Sequence, residues 1–154
     1  MRLALFQPDI PQNLGAAIRL TACMAIGLDI IEPCGFPLSD KAVGRAAMDY
    51  GESAEVRRHD SWTAFLANRA PGRLLLLTTR ASIPYCAYVF RPGDTLLLGR
   101  ESAGVPDSVH AAADARLLVP MASDARSLNV IVSAAMVLGE ALRQTKDFPP
   151  LEKI

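Results

Sequence analysis

Leu74-Leu75-Leu76-Leu77-Thr78 carries four consecutive leucines with nothing polar between them. A strand with one wet face alternates apolar and polar residues. An unbroken apolar run this short instead reads as a strand buried on both faces, as in a parallel sheet covered by helices. Thr95-Leu96-Leu97-Leu98-Gly99 repeats the pattern after the turn signal Pro92-Gly93. Working outward, Leu3 to Phe6, Leu28 to Ile31, a weaker Glu55 to Arg58, and Leu117 to Val119 read as further strands. Helical patterns separate them. Asn13 suits the N-cap of a helix from Leu14 to about Ile26, closed by Gly27. Ser39 or Asp40 opens a short helix from Lys41 to Met48. Ser61 caps one that runs to about Asn68, Pro106 opens another, and a long apolar helix runs from about Leu128 to Gln144. Strands alternating with helices predict an α/β fold, a mainly parallel sheet with helices on both faces. With no repeat or linker, residues 1–154 are expected to form one domain.

Composition narrows the classes further. Hydrophobic residues make up 51% of the 154 and charged residues 21%, which points to an ordered globular protein. The formal net charge is zero, so no global basic field announces nucleic acid. Yet thirteen of the 16 basic residues are Arg, whose forked guanidinium suits phosphate and carboxylate. Cys23, Cys34 and Cys86 are odd in number, widely spaced and without metal-ligand spacing to His59 or His110. They read as reduced thiols. With no signal peptide and no apolar run of membrane-spanning length, a cytoplasmic protein without membrane or metal partners is expected.

The apolar strands end in Thr78-Thr79, in Gly99, and in Pro120 followed by a polar loop, and ligands of open parallel sheets bind beyond such ends. That last loop, with Ser123, Asp124, Arg126, Ser127 and Asn129, lies between two apolar elements. Ser127 or Asn129 either caps the next helix or takes part in chemistry. Gly15 within a helix start suggests close backbone approach. Arg19, in an otherwise apolar helix, either snorkels to water or meets an anion. The loop Gly99-Arg100-Glu101-Ser102-Ala103-Gly104-Val105-Pro106 is neither a Gly-x-Ser-x-Gly elbow nor a P-loop. No Gly-x-Gly-x-x-Gly dinucleotide signature appears, and neither His has a triad partner nearby in sequence.

Three of these stretches together resemble a known family. Asn13-Leu14-Gly15-Ala16-Ala17-Ile18-Arg19, Leu98 through Pro106, and Val119-Pro120-Met121 through Arg126-Ser127-Leu128-Asn129 are similar, in order, to the three motifs of the SPOUT family. Its members are S-adenosylmethionine-dependent RNA methyltransferases. Phe6 to Asn13, Ile31-Glu32-Pro33 and the short length resemble the TrmL-type subgroup, tRNA (cytidine(34)/uridine(34)-2'-O)-methyltransferases acting on the wobble ribose of leucine tRNAs.

The resemblance implies a C-terminal trefoil knot that holds the methyl donor, and a homodimer with the first and last helices at its interface. It places S-adenosylmethionine against Leu77, Gly99, Val119, Met121, Ser127 and Leu128. It assigns Arg19 to the reacting 2'-hydroxyl, with Asn13, Glu101, Ser127 and Asn129 positioning loops and ribose. Because Arg stays protonated, Arg19 is expected to fix a phosphate and stabilise the developing oxyanion. The tRNA anticodon stem-loop is the expected partner, met by a local patch drawn from Arg45, Arg57, Arg58, Arg80, Arg100 and Arg126. Arg100 departs from the pattern: close relatives often have Pro there, so the loop gains either altered stiffness or an RNA contact. Rival readings are a ribose methyltransferase for another tRNA or rRNA position, and a non-catalytic RNA- or nucleotide-binding module.

Overall fold

The computed structural model describes residues 1–39, 41, 43 and 55–151. Seven strands form one all-parallel sheet: β1 (Arg2–Phe6), β2 (Gly27–Ile31), β3 (Val56–His59), β4 (Leu74–Leu77), β5 (Ile83–Pro84), β6 (Thr95–Leu98) and β7 (Ala115–Leu118). Their order across the sheet is β3-β2-β1-β6-β4-β7-β5. The helices described along their whole length are α1 (Pro11–Cys23), α2 (Trp62–Asn68), α3 (Asp107–Ala112) and α4 (Val130–Thr145). The chain first winds outward from β1 to β3. It then crosses to β4, and β6 enters between β1 and β4, pairing Leu3 with Leu96 on one side and Leu75 with Leu96 on the other. This is the switch point of the sheet.

Alternation along the leucine strands sorts side chains onto two faces. Leu3, Leu5, Leu75, Leu96 and Leu98 point to the face covered by α1 and α4, where Leu14, Ile18, Ala134, Val137 and Leu138 complete the core. Ala4, Phe6, Leu74, Leu76 and Leu97 point to the other, covered by Phe65 of α2 and Val109 of α3. Helices on both faces are therefore present, and the four-leucine run is dry because each face has its own helical cover.

A buried polar cluster sits within this second layer. Asp29 accepts from Nε of Arg2 at 2.6 Å and lies 2.8 Å from Nε2 of His59, whose ring meets Phe65 edge-on. Asp29 is 1% exposed. His59 therefore has an acid partner in space that sequence neighbours did not reveal, but it is part of the core.

Several boundaries differ from those expected. Helix α1 begins at Pro11, with Ile10 at the N-cap, so Asn13 is not a cap. Proline suits the first helical position because its ring sets φ and the missing N–H would have no helical partner. At the other end the helix stops at Cys23 and Ala25 turns the chain with φ of 52°, whereas Gly27 lies inside β2 beneath the Arg2 guanidinium. Among the described residues none approaches Gly15 closely, a Cβ there meeting nothing within 4 Å outside its own helix backbone. The last strand is Ala115–Leu118, and helix α4 starts at Val130 with Asn129 as its cap. Strand β5 and the 3-10 turn Tyr85–Ala87 were not expected. Of the helix expected over Lys41 to Met48, Lys41 and Val43 are described and helical, with the Val43 N–H donating to the Ser39 carbonyl at 3.1 Å, and the rest falls outside the described residues. Among the described residues no helix is long and apolar enough to cross a membrane.

Candidate active site

Four loops meet beyond the carboxyl ends of β1, β4, β6 and β7, and a clasp of polar contacts joins three of them. In the β6 loop, Arg100 and Gly104 exchange backbone hydrogen bonds at 3.1 and 2.8 Å, closing a tight reverse turn. Gly99 is required there, since a Cβ would lie 2.7 Å from the Gly104 carbonyl carbon. Asp9, in the β1 loop, accepts from the Glu101 N–H at 3.1 Å, the Ser102 N–H at 3.3 Å and the Ser102 hydroxyl. Glu101 in turn accepts from the Asn13 side-chain amide at 2.7 Å, and Asn13 Oδ1 accepts from Asn129 Nδ2 at 3.0 Å. Asn129 also accepts from the Ile131 and Val132 N–H groups, capping α4. The amide chain Asn129–Asn13–Glu101 thus links residues far apart in sequence, with each donor matched to an acceptor.

Below this clasp lies a cavity of about 670 Å³, within the range of small-ligand sites. Its lining has two characters. Leu76, Leu77, Leu98, Leu117, Val119 and Leu128 make an apolar wall from β4, β6, β7 and the loop after β7. Asn13, Arg100, Glu101, Ser127 and Asn129 make a polar one. An adenine ring needs an apolar slot of this kind with nearby backbone groups, and a ribose needs adjacent donors and acceptors. The residues present therefore fit S-adenosylmethionine: Leu77, Gly99, Val119, Met121, Ser127 and Leu128 all line the one cavity.

Of the catalytic and donor-site residues that the resemblance assigned, Arg19 is the one outside this cavity. It lies on the exposed face of α1 and does not line the cavity, whereas Asn13, on the same helix, is buried and does. Six positions separate them, and that turns Arg19 outward. Among the other arginines, Arg57 pairs with Glu55 at 2.7 Å, Arg58 with Glu32 at 2.8 Å and Arg80 with Asp107 at 3.2 Å. Arg126 is exposed in the loop after β7, and Arg45 lies outside the described residues.

Asp9 entered the sequence reading only as part of the Phe6 to Asn13 stretch, with no role of its own, because its partners Glu101 and Ser102 lie 92 and 93 positions away. Hydrogen bonding with Glu101, ahead of the Ser102 hydroxyl and the two backbone N–H groups, holds its carboxyl at about 2. Those bonds favour the ionised form. Since the folded value lies below the ordinary one, the clasp is fully formed above about pH 4 and is lost as pH falls through about 2. Amide protection at Glu101 and Ser102 is therefore expected to stay level from about pH 7 to 5. Asp9→Asn, which cannot accept from all three donors, is expected to lower it about fivefold at every pH; hydrogen exchange measures both.

An all-parallel sheet with a nucleoside-sized cavity in the loops at its switch point defines the class as an α/β nucleotide-binding fold. Comparison with known proteins carries this further. The chain belongs to the SpoU rRNA Methylase family, whose model matches residues 1–139. It is accordingly a methyltransferase whose methyl donor is S-adenosylmethionine. A relative from Beijerinckia indica subsp. indica, named tRNA (cytidine(34)-2'-O)-methyltransferase, is 58% identical over 144 residues, covering 92% of this chain and 90% of its own. An Escherichia coli K12 protein of the same name is 40% identical over 146 residues, covering 94% and 93%. A solved structure described as giving insight into 2'-hydroxyl methylation of C/U34 on tRNA superposes with a TM-score of 0.83 at 40% identity, covering 93% of this chain and 94% of that one. The AviRb methyltransferase of Streptomyces viridochromogenes, in complex with AdoMet, has a TM-score of 0.77 at 26% identity and covers 94% of this chain and 60% of that one.

Proposed function

We propose that this chain methylates the ribose 2'-hydroxyl of nucleotide 34, a cytidine or modified uridine, in leucine tRNAs. It does so as a cytoplasmic homodimer that engages the anticodon stem-loop, with its C-terminal segment threaded as a trefoil knot around the donor. The observation that carries this reading is the single cavity that gathers Asn13, Gly99, Met121, Ser127 and Asn129 from three separate motifs. The relatives named for the wobble position match nearly end to end, whereas the AviRb chain is much longer than this one. That favours the wobble nucleotide over an rRNA position. The threading reading is supported by β6 and β7 each entering between two strands laid down earlier, β6 between β1 and β4 and β7 between β4 and β5, with the 119–129 loop against the same cavity.

S-adenosylmethionine supplies an already electrophilic methyl group. What the protein must add is alignment, exclusion of water and relief of charge as the hydroxyl loses its proton. The leucine wall orients the adenosine half and keeps water from that side. The Asn129–Asn13–Glu101 chain fixes the amides that face the target ribose. Glu101, accepting from Asn13, keeps the Asn13 side-chain oxygen turned toward Asn129.

Arg19 supports the homodimer. It stands outside its own chain's cavity, so a second copy brought against α1 and α4 gives it a route to the ribose in the partner's site. Val132 and Met136 of α4, spaced four apart and 50% and 40% exposed, offer that copy apolar surface. Mapping 2'-O-methylation in tRNA from cells lacking this protein tests the proposal. Loss confined to nucleotide 34 of leucine tRNAs is expected; a full set of wobble methyl groups would overturn it.

A further inference from the structure

We propose that Arg100 is an anion anchor of the active site, gripping an RNA phosphodiester beside the target nucleotide. The inference rests on the methyltransferase reading and adds a substrate contact to it.

The guanidinium's partners are the starting point. Its Nε donates to the Gln7 carbonyl at 3.4 Å and Nη2 to Gln7 Oε1 at 3.0 Å. Both acceptors are neutral. Arg2, Arg58, Arg73, Arg80 and Arg143 each rest on a carboxylate, and Arg100 has none among the described residues. It is only partly exposed, and it is the one arginine among the described residues that lines the cavity. A guanidinium carries five N–H donors, of which two are taken here. Neutral acceptors fix its orientation and leave its charge uncompensated, which suits a forked contact with an incoming anion.

The mounting is rigid. The two backbone bonds with Gly104 fix the Arg100 main chain, and the bond from Gln7 N–H to the Ile31 carbonyl at 2.8 Å fixes its brace. Gln7 holds a left-handed φ of 47° to present both oxygens. Strain of this kind at a non-glycine residue persists where the surroundings enforce it, often at ligand sites.

Position selects the anion. The apolar wall that suits adenosine comes from β4, the end of β6, β7 and the 119–128 loop. Arg100 reaches the opposite way, over the end of β1, on the side where Asn13 and Glu101 stand. The group expected there is the substrate's backbone phosphate, and the donor's own carboxylate is the alternative that a test must separate.

The experiment uses the full-length protein with Arg100→Gln and Arg100→Lys. It measures tRNA binding over a range of salt, S-adenosylmethionine binding by calorimetry, and the melting temperature. Arg100→Gln is expected to weaken tRNA binding roughly tenfold. It should also flatten the log–log salt dependence by about one contact's worth, a slope change of about 0.7 to 1, with donor affinity unchanged. Arg100→Lys is expected to restore the slope and only part of the affinity, because the fork is lost. Weakened donor binding with an unaltered salt slope would assign the anion to the donor and overturn the proposal. Unaltered binding of both would reduce Arg100 to a brace for Gln7 and overturn it equally. Binding is read without turnover, so a failure to methylate nucleotide 34 would count against the proposed function and leave this result distinct.

Discussion

Arg19→Ala and Asn129→Asp are each expected to lower methyl transfer by roughly 100-fold or more, the usual cost of removing one donor aimed at developing charge. Mixed as subunits, they are expected to recover roughly a quarter of the native rate. Arg19 is exposed on α1, outside the cavity that Asn129 lines. If each site draws Arg19 from one protomer and Asn129 from the other, a mixed dimer of two-fold symmetry holds one site with both defects and one intact. Random pairing makes half the dimers mixed, hence the quarter. Asn129→Asp is the better partner for this test than alanine. It keeps an oxygen to accept from Ile131 and Val132 and so keeps the α4 cap, worth about 1 kcal/mol. What it loses is the Nδ2 donor to Asn13, leaving the chain to Glu101 one donor short. Co-expression with two affinity tags isolates the mixed dimer directly. A mixed dimer as inactive as either parent would place both residues in one chain's site.

Asp29→Ala is expected to cost about 3–5 kcal/mol of stability, the range for removing one partner of a buried ion pair. At this size that is a fall of about 10 °C or more in Tm. Asp29 holds Arg2 and His59 with its two oxygens, and all three are buried. Arg2 Nη2 already has no partner among the described residues, which offer it no spare acceptor. Glu55 reaches Nη1 at 2.9 Å but is 53% exposed and lies at the edge of the cluster. Asp29→Asn, which retains one acceptor, is expected to lose less. Thermal or urea unfolding measures both, and a loss under about 1 kcal/mol would mean that water or Glu55 takes over the Arg2 charge.

How far the sequence showed this molecule depended on whether the signal was local. The sheet was legible because Leu74 to Leu77 and Thr95 to Leu98 admit only a strand dry on both faces. β5 was not, because two residues ending in Pro84 carry no periodicity, and the strand exists only as an edge partner for Leu117 and Leu118. The start of α1 was placed three residues late because Asn13 is a good N-cap in sequence, whereas the helix opens on Pro11, a residue suited to the first helical position. Asn13 was singled out as a cap and, from the motif resemblance, as a site residue; the side chain released from capping is the one that bonds Glu101.

At the site, Gly99, Met121, Ser127 and Asn129 were accessible because their motifs are contiguous. Contacts between loops were not. Asp9 meets Glu101 and Gln7 meets Arg100 across more than ninety positions, and no local pattern encodes such a meeting. The same holds for Asp29, which reads in sequence as one acid in an apolar strand and proves to be the centre of a buried cluster.

Transfer of a labelled methyl group from S-adenosylmethionine to two synthetic anticodon stem-loops tests the central claim most directly. The two differ only at nucleotide 34, which is cytidine in one and 2'-deoxycytidine in the other. The account predicts stoichiometric labelling of the first and none of the second. Equal labelling of both, or of neither while full-length tRNA is labelled at another nucleotide, would contradict it.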